Sequence, residues 1–168
     1  MMELTPEWIT GFVEGEGSFY IGIVPCGNWF TVSPMFSLTL HEDDRAILEG
    51  FKSYFGFGSI TNFSKDAQWY KDAGINASNT CKYSVGGLRH GKPLRDFFAK
   101  QHMFSKKKKS FDIWSEVIDM MKSYKHKTKE GFLEICRLRE QMNTGSPRQK
   151  SFKGYDYWKA LVNASVPA

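Results

Sequence analysis

Two carboxylates, Glu14 and Glu16, stand among three glycines in the stretch "GFVEGEGSF", residues 11–19. The acids fall at the end of a segment that reads as a helix. Glycine in a helix interior costs about 1 kcal/mol relative to alanine. Acids at a helix carboxyl end also oppose its dipole. Both choices run against stability, so they serve another purpose. On a helix, residues two apart do not face each other, so Glu14 and Glu16 cannot share one proton as a simple dyad. The second chemical cluster is the run "KKKK" at 106–109, whose simplest alternative is a solvated helix start. His41, His90, His102 and His126 form no ligand pair at i, i+4. Cys26, Cys81 and Cys136 are widely spaced and odd in number. They read as free thiols of an intracellular, reducing compartment, neither a disulfide framework nor a zinc site.

These groups must be held by a core. The chain has 168 residues, 41% hydrophobic and 15% aromatic, which suits one domain over 1–168. No apolar run reaches the length of a membrane span, and the N-terminus lacks signal-peptide character. Net charge is +5, unevenly spread. Residues 1–100 carry 9 Lys/Arg against 11 Asp/Glu, and residues 101–168 carry 14 against 7. Such a basic half points to a polyanion, most simply nucleic acid.

Thr5 as cap and Pro6 at the first helical position open a helix. Trp8, Ile9, Phe12 and Val13 give it the pattern of a mostly buried element. "SFYIGIVP" and "NWFTVSPMFSLTL" read as two strands joined by a turn at Cys26, Gly27 and Asn28. Pro34 predicts a bulge or an edge position in the second. "HEDDRAILEGFKSYFG" is an amphipathic helix stopped by Gly56. "FGSITNF" and "TCKYSVGG" are two further strands, separated by a long polar loop. Helices follow in "KPLRDFFAKQH", "KKKKSFDIWSEVIDMMKSY", "TKEGFLEICRLREQMN" and "YDYWKALV". The order implies an α+β fold: a four-stranded antiparallel sheet backed by helices.

Alternation divides the sheet. Phe19, Ile21 and Ile23 share one face of the first strand, and Phe36, Leu38 and Leu40 are the core positions of the second. The opposite face carries Tyr20, Thr31, Ser33, Ser37, Thr61, Lys82 and Ser84. An ordinary solvated face would hold more Lys and Glu. Small hydroxyls suit close approach to base edges, and a β-ribbon can enter a major groove. These seven residues are the candidate base readers. Lys65, Lys71, Arg148, Lys150 and Lys153 are the candidate phosphate contacts, and Trp69 and Tyr70 accompany them.

"ITGFVEGEG", residues 9–17, resembles the LAGLIDADG motif of homing endonucleases, with Ile9 and Thr10 in place of the usual Leu and Ala. "FGFGSI", "PLRDFFAK" leading to "FSKKKKSFDIW", and "MNTGSPRQKSF" agree with it, so the resemblance covers nearly the whole chain. It is nearest to the single-motif, homodimeric enzymes encoded within introns. It implies that the faces carrying Gly11 and Gly15 pack about a two-fold axis, with Glu14 satisfying backbone donors at the facing helix end. Phe12 and Val13 would fill each subunit's core. Glu16 is then the metal-site acid, with the Gly15 carbonyl as a further ligand. Two Glu16 carboxylates brought together repel unless divalent cations lie between them. Mg²⁺, with Mn²⁺ as a substitute, fits that role. Lys108, with Lys107 as its alternative, would balance phosphate charge. Where the family commonly places a water-orienting polar residue after the second strand, this chain has Leu40, and His41 or Thr39 would have to substitute.

The implied function is site-specific, metal-dependent cleavage of a long, nearly palindromic DNA duplex. The alternatives on the same fold are an intron RNA-splicing maturase and a DNA-binding protein that does not cleave.

Overall fold

The computed structural model describes residues 3–64, 72, 78–143 and 152–165. Helix α1 spans Pro6–Glu16, strand β1 Gly17–Cys26 and strand β2 Trp29–His41. After a 3-10 turn come α2 (Arg45–Phe55), β3 (Ser59–Phe63) and β4 (Thr80–Gly86). The helices α3 (Gly87–Phe98), α4 (Lys107–Lys122), α5 (Lys129–Glu140) and α6 (Tyr155–Ser165) follow. The strands form one antiparallel sheet in the order β1-β2-β4-β3. The α+β reading of the sequence therefore holds.

The start of α1 follows its local chemistry. The Thr5 hydroxyl accepts from the Trp8 N–H at 3.2 Å, and Pro6 sits at the first turn, where no N–H is needed. At its other end Gly17 leaves the helix in an extended conformation and donates to the Val13 carbonyl. A Cβ on Gly17 would lie 2.7 Å from that oxygen. Glycine is thus what lets the helix pass into β1 without a connecting loop. Between β1 and β2, Gly27 takes φ +57 and Asn28 does not take a positive φ. That is the type II′ pattern of a two-residue hairpin.

The chain clusters into two compact units: Met1–Ser18 with Phe36–Met103, and Phe19–Met35 with Phe104–Ala168. The first unit packs Ile9 and Val13 of α1, Leu48 and Phe51 of α2, and Leu94 and Phe98 of α3 into its core, all essentially inaccessible. Phe36 and Tyr83 supply the sheet side, and the Tyr83 ring stands 6.2 Å from Phe51. The Tyr83 hydroxyl donates to the Phe57 carbonyl at 2.9 Å. The second unit buries Phe19, Ile21 and Ile23 of β1 with Trp114, Ile118, Phe132 and Trp158. Phe19 lies 5.3 Å from Trp114, and Phe30 stacks on Phe132 at 4.6 Å. The α5 stripe read from the sequence, Phe132, Ile135, Cys136 and Leu138, is buried as expected, and so is Met142 beyond it.

β2 is an interior strand, so of the two readings of Pro34 the edge position falls away. Three further expectations are corrected. α3 begins at Gly87 rather than near Lys92, because glycine can take the φ of +74 that turns the chain from β4 straight into the helix. Leu40 is half-buried, lying near the end of β2 where the core thins. Trp8 is 40% exposed and Phe12 is half-buried, so α1 is less buried than its spacing predicts, although both rings pack against Phe51.

Candidate active site and nucleic-acid interface

The geometry at α1 separates two helix faces. Ile9, Thr10 and Val13 point into the first unit's core, where the Thr10 hydroxyl donates to the Pro6 carbonyl at 2.7 Å. On the other side, Trp8, Gly11, Phe12 and Gly15 lie at i, i+3, i+4 and i+7 and form one stripe. Trp8 stacks on Phe12 with ring centroids 4.9 Å apart. Gly11 and Gly15 are exposed, and a Cβ at either would meet nothing within 4 Å. Trp8 and Phe12 as part of this stripe were missed in the sequence, where helical spacing alone assigned them to the core.

Glu16 is the last residue of α1 and is exposed, with no hydrogen bond or ion pair among the described residues. Glu14 is half-buried one helical face away. No group of three or more His, Cys, Asp or Glu side chains able to hold a metal ion occurs among the described residues. The end of α1 thus offers the exposed Glu16 carboxylate beside Gly15.

Lys108 and Lys107 belong to the second unit. Lys108 is exposed at the start of α4, and its Nζ holds both Asp112 oxygens, at 2.7 and 2.8 Å. Lys107 is half-buried, and its N–H donates to the Ser105 hydroxyl.

The reader candidates fall in both units. In the first, β3 and β4 pair with Thr61 opposite Lys82 and Ser59 opposite Ser84. These four side chains share the face away from Tyr83 and Cys81. Ser59 was not anticipated; it is the strand's first residue, where alternation has too few positions to read. Ser37 is the exception among the candidates, 6% exposed. A short side chain on an interior strand is shielded by its longer neighbours, so the expectation that Ser37 faces solvent is corrected. In the second unit Thr31 is exposed and Tyr20 and Ser33 are half-buried. The Ser33 hydroxyl donates to the Met35 sulfur at 3.3 Å.

Lys153 is exposed, with its ammonium 4.9 Å from the Tyr157 ring. Its carbonyl accepts from Arg139 at 2.7 Å and from the Trp158 indole at 2.9 Å. Arg139 also donates to the Ile21 carbonyl at 2.8 Å, which ties this segment to β1. No spacing in the sequence pointed to Arg139. Lys65, Lys71, Arg148 and Lys150, with Trp69 and Tyr70, lie outside the described residues.

A family model of the LAGLIDADG endonucleases matches residues 9–118, from the start of the glycine-rich motif into α4. The chain belongs to that family. A relative from Neurospora crassa, "Probable intron-encoded endonuclease 2", is 30% identical over 146 residues. Those residues are 84% of this chain and 30% of the relative. The chain thus spans under a third of that relative's length. The solved homing endonuclease I-TnaI superposes with a TM-score of 0.76 at 26% identity, covering 98% of this chain and 100% of that one. The LAGLIDADG meganuclease I-AabMI, solved bound to uncleaved DNA, gives 0.70 at 27%, covering 86% of this chain and 47% of its own. The family model includes the elements that carry Glu16, the β3–β4 pair and the lysine run.

The three cysteines are free, Cys26 exposed and the others buried. Burial pushes the Cys136 thiol up to about 12 and also raises that of Cys81. Both are inert as nucleophiles at neutral pH. No helix among the described residues is long and apolar enough to cross a membrane.

Proposed function

We propose that this chain is one subunit of a homodimeric, site-specific DNA endonuclease. It folds as a single LAGLIDADG domain and cuts a long, nearly palindromic duplex. The open glycine stripe of α1, ending at an unpartnered Glu16, is the observation that carries this reading. A helix face with two glycines and two aromatic rings lets a second helix approach closely. A C₂ pairing through this face brings two Glu16 carboxylates together at the ends of the paired helices. The Glu16 carboxylates and Gly15 carbonyls would hold Mg²⁺, for which Mn²⁺ can substitute. When bound, the metal supplies a more acidic water and neutralises charge on the phosphate.

The remaining steps belong to the protein. The sheet face with Tyr20, Thr31, Ser33, Thr61, Lys82 and Ser84 reads bases, and Lys153 holds phosphates. Lys108 leaves Asp112 to reach the scissile phosphate and offsets its developing charge. Lys107 is the alternative.

The deciding test is Glu16→Gln, assayed by single-turnover cleavage and gel shift on a target recovered by cleavage selection from a randomised duplex library. Cleavage should fall by at least a hundredfold while affinity in Ca²⁺ persists, because size is kept and charge removed. Cleavage at near wild-type rate overturns the reading. Lys108→Met and Lys107→Met, run alongside, identify the lysine by the larger loss. A second reading, binding of intron RNA, has the basic half of the chain in its favour.

A further inference from the structure

Between α4 and α5 the chain reads "KSYKHKTK", residues 122–129, with four lysines and no acid. Lys122 pairs with Asp119 at 3.5 Å. Lys125, Lys127 and Lys129 have no ion pair among the described residues. A charge run of this kind is ordinarily a loose solvated segment, but this one is built rigidly. Tyr124 stands 66% exposed in the left-handed region, φ 58, a conformation that costs a non-glycine residue. The Lys127 ammonium lies 5.1 Å from its ring, and the His126 ring stacks at 6.5 Å. The Lys125 carbonyl accepts from the Thr128 hydroxyl at 2.9 Å, and the same hydroxyl caps α5 by accepting from the Gly131 N–H at 3.1 Å. A Cβ at Gly131 would run into the Lys125 carbonyl, so glycine there permits the turn to sit against α5.

The loop is also fixed in place. The Trp29 indole N–H donates to the His126 carbonyl at 3.3 Å. Trp29 is the first residue of β2, directly after the hairpin turn at Gly27 and Asn28. β1 leaves Glu16 and runs ten residues to that turn, about 33 Å at ~3.3 Å per residue, or roughly ten base pairs. The loop therefore stands at the hairpin end of β1 and β2.

We propose that this lysine–tyrosine platform grips the phosphate backbone of duplex DNA flanking the segment that the sheet reads. The inference rests on the DNA-cleaving reading above. Each phosphate neutralised releases counterions and steepens the fall of affinity with salt by about 0.9 in the log–log slope. The platform should then matter on duplexes longer than the roughly 20 base pairs that two sheets cover.

The test compares wild type with the double variant Lys125→Ala/Lys127→Ala, binding random-sequence duplexes of 20 and 40 base pairs in Ca²⁺ across a salt series. Both lysines are exposed, so folding should be retained, which a melting curve checks. On 40 base pairs the variant's slope should be shallower by about 2 or more; on 20 base pairs it should match wild type. Lys125→Arg/Lys127→Arg should restore the slope. Unchanged slopes at both lengths, or an equal drop at both, overturn the inference. So does a drop confined to a 40-base-pair RNA duplex, which would make the platform an RNA contact. Wild type that binds neither DNA overturns the endonuclease reading as well. Wild type that binds both, with an indifferent variant, overturns the platform alone.

Discussion

Helices α1 and α5 both carry glycine where alanine would form a better helix, and the reasons differ. In α5, Gly131 faces the Lys125 carbonyl, and the fold of this one chain accounts for it. In α1, a Cβ at Gly11 or Gly15 would meet nothing within 4 Å among the described residues. Glycine there costs about 1 kcal/mol relative to alanine and leaves the room that the proposed second helix would use. The aromatic pair beside these glycines, Trp8 on Phe12, packs on Phe51 of its own unit at 6.2 and 5.8 Å, yet leaves Trp8 40% exposed.

The comparison is broken most strongly at Gly15. Gly15→Leu leaves its own chain unstrained, since its Cβ meets nothing, yet places a bulky side chain on the stripe. Sedimentation should show a folded monomer, with cleavage lost by orders of magnitude. A Gly15→Leu protein that still dimerises and cuts would place the interface elsewhere. Next in size, Gly131→Ala should destabilise by about 1–3 kcal/mol, because overpacking against a carbonyl forces the loop to move. Gly11→Ala should do the opposite below the dimerisation concentration, stabilising the monomer by about 0.5–1 kcal/mol while weakening self-association. Denaturant melts of the two alanine variants with the same sign would remove the distinction between the glycines.

Smaller effects sharpen it further. Thr61→Ala should change preference at one or two base pairs per half-site, by about 1–3 kcal/mol at those positions. Lys153→Ala should weaken binding to all sequences and flatten the salt dependence. A binding-site selection that gives the same profile for both would merge readers with phosphate contacts. Smallest of all is a pH effect on the internally packed helix. Cys136 in α5 is held neutral by burial, its pKa pushed up to about 12 in the folded chain. In the unfolded chain the thiol ionises near 8.5, so the unfolded state binds fewer protons above that pH. The stability advantage of wild type over Cys136→Ala should be full below pH 8.5 and shrink as pH rises from there toward 12. A gap that is constant from pH 8 to 10.5 in thermal melts would contradict it.

Much of this was legible before any coordinates. Thr5 and Pro6 mark the start of α1 by cap chemistry, and the period-2 burial of Phe19, Ile21 and Ile23 fixes the covered face of β1. Glu16 and the glycines announce themselves because they defy local stability. Harder to read were features that depend on a residue's neighbours in space. Trp8 and Phe12 have core-like spacing, and their exposure depends on how much of α1 the first unit covers. Ser37 has the parity of an open face, and its burial comes from an interior strand position. Arg139 bonds to Ile21, 118 residues away in the chain, which no local pattern encodes. The grip of Lys108 on Asp112 appears at i, i+4 once the helix is formed.

The most direct measurement is the mass of the species that cuts. Sedimentation of the wild-type chain with its selected target duplex in Ca²⁺, followed by single-turnover cleavage of the same fraction in Mg²⁺, joins stoichiometry to activity. Two chains of 19.3 kDa per duplex, cutting both strands, is the predicted result. One chain per duplex that still cuts both strands would contradict the shared Glu16 centre.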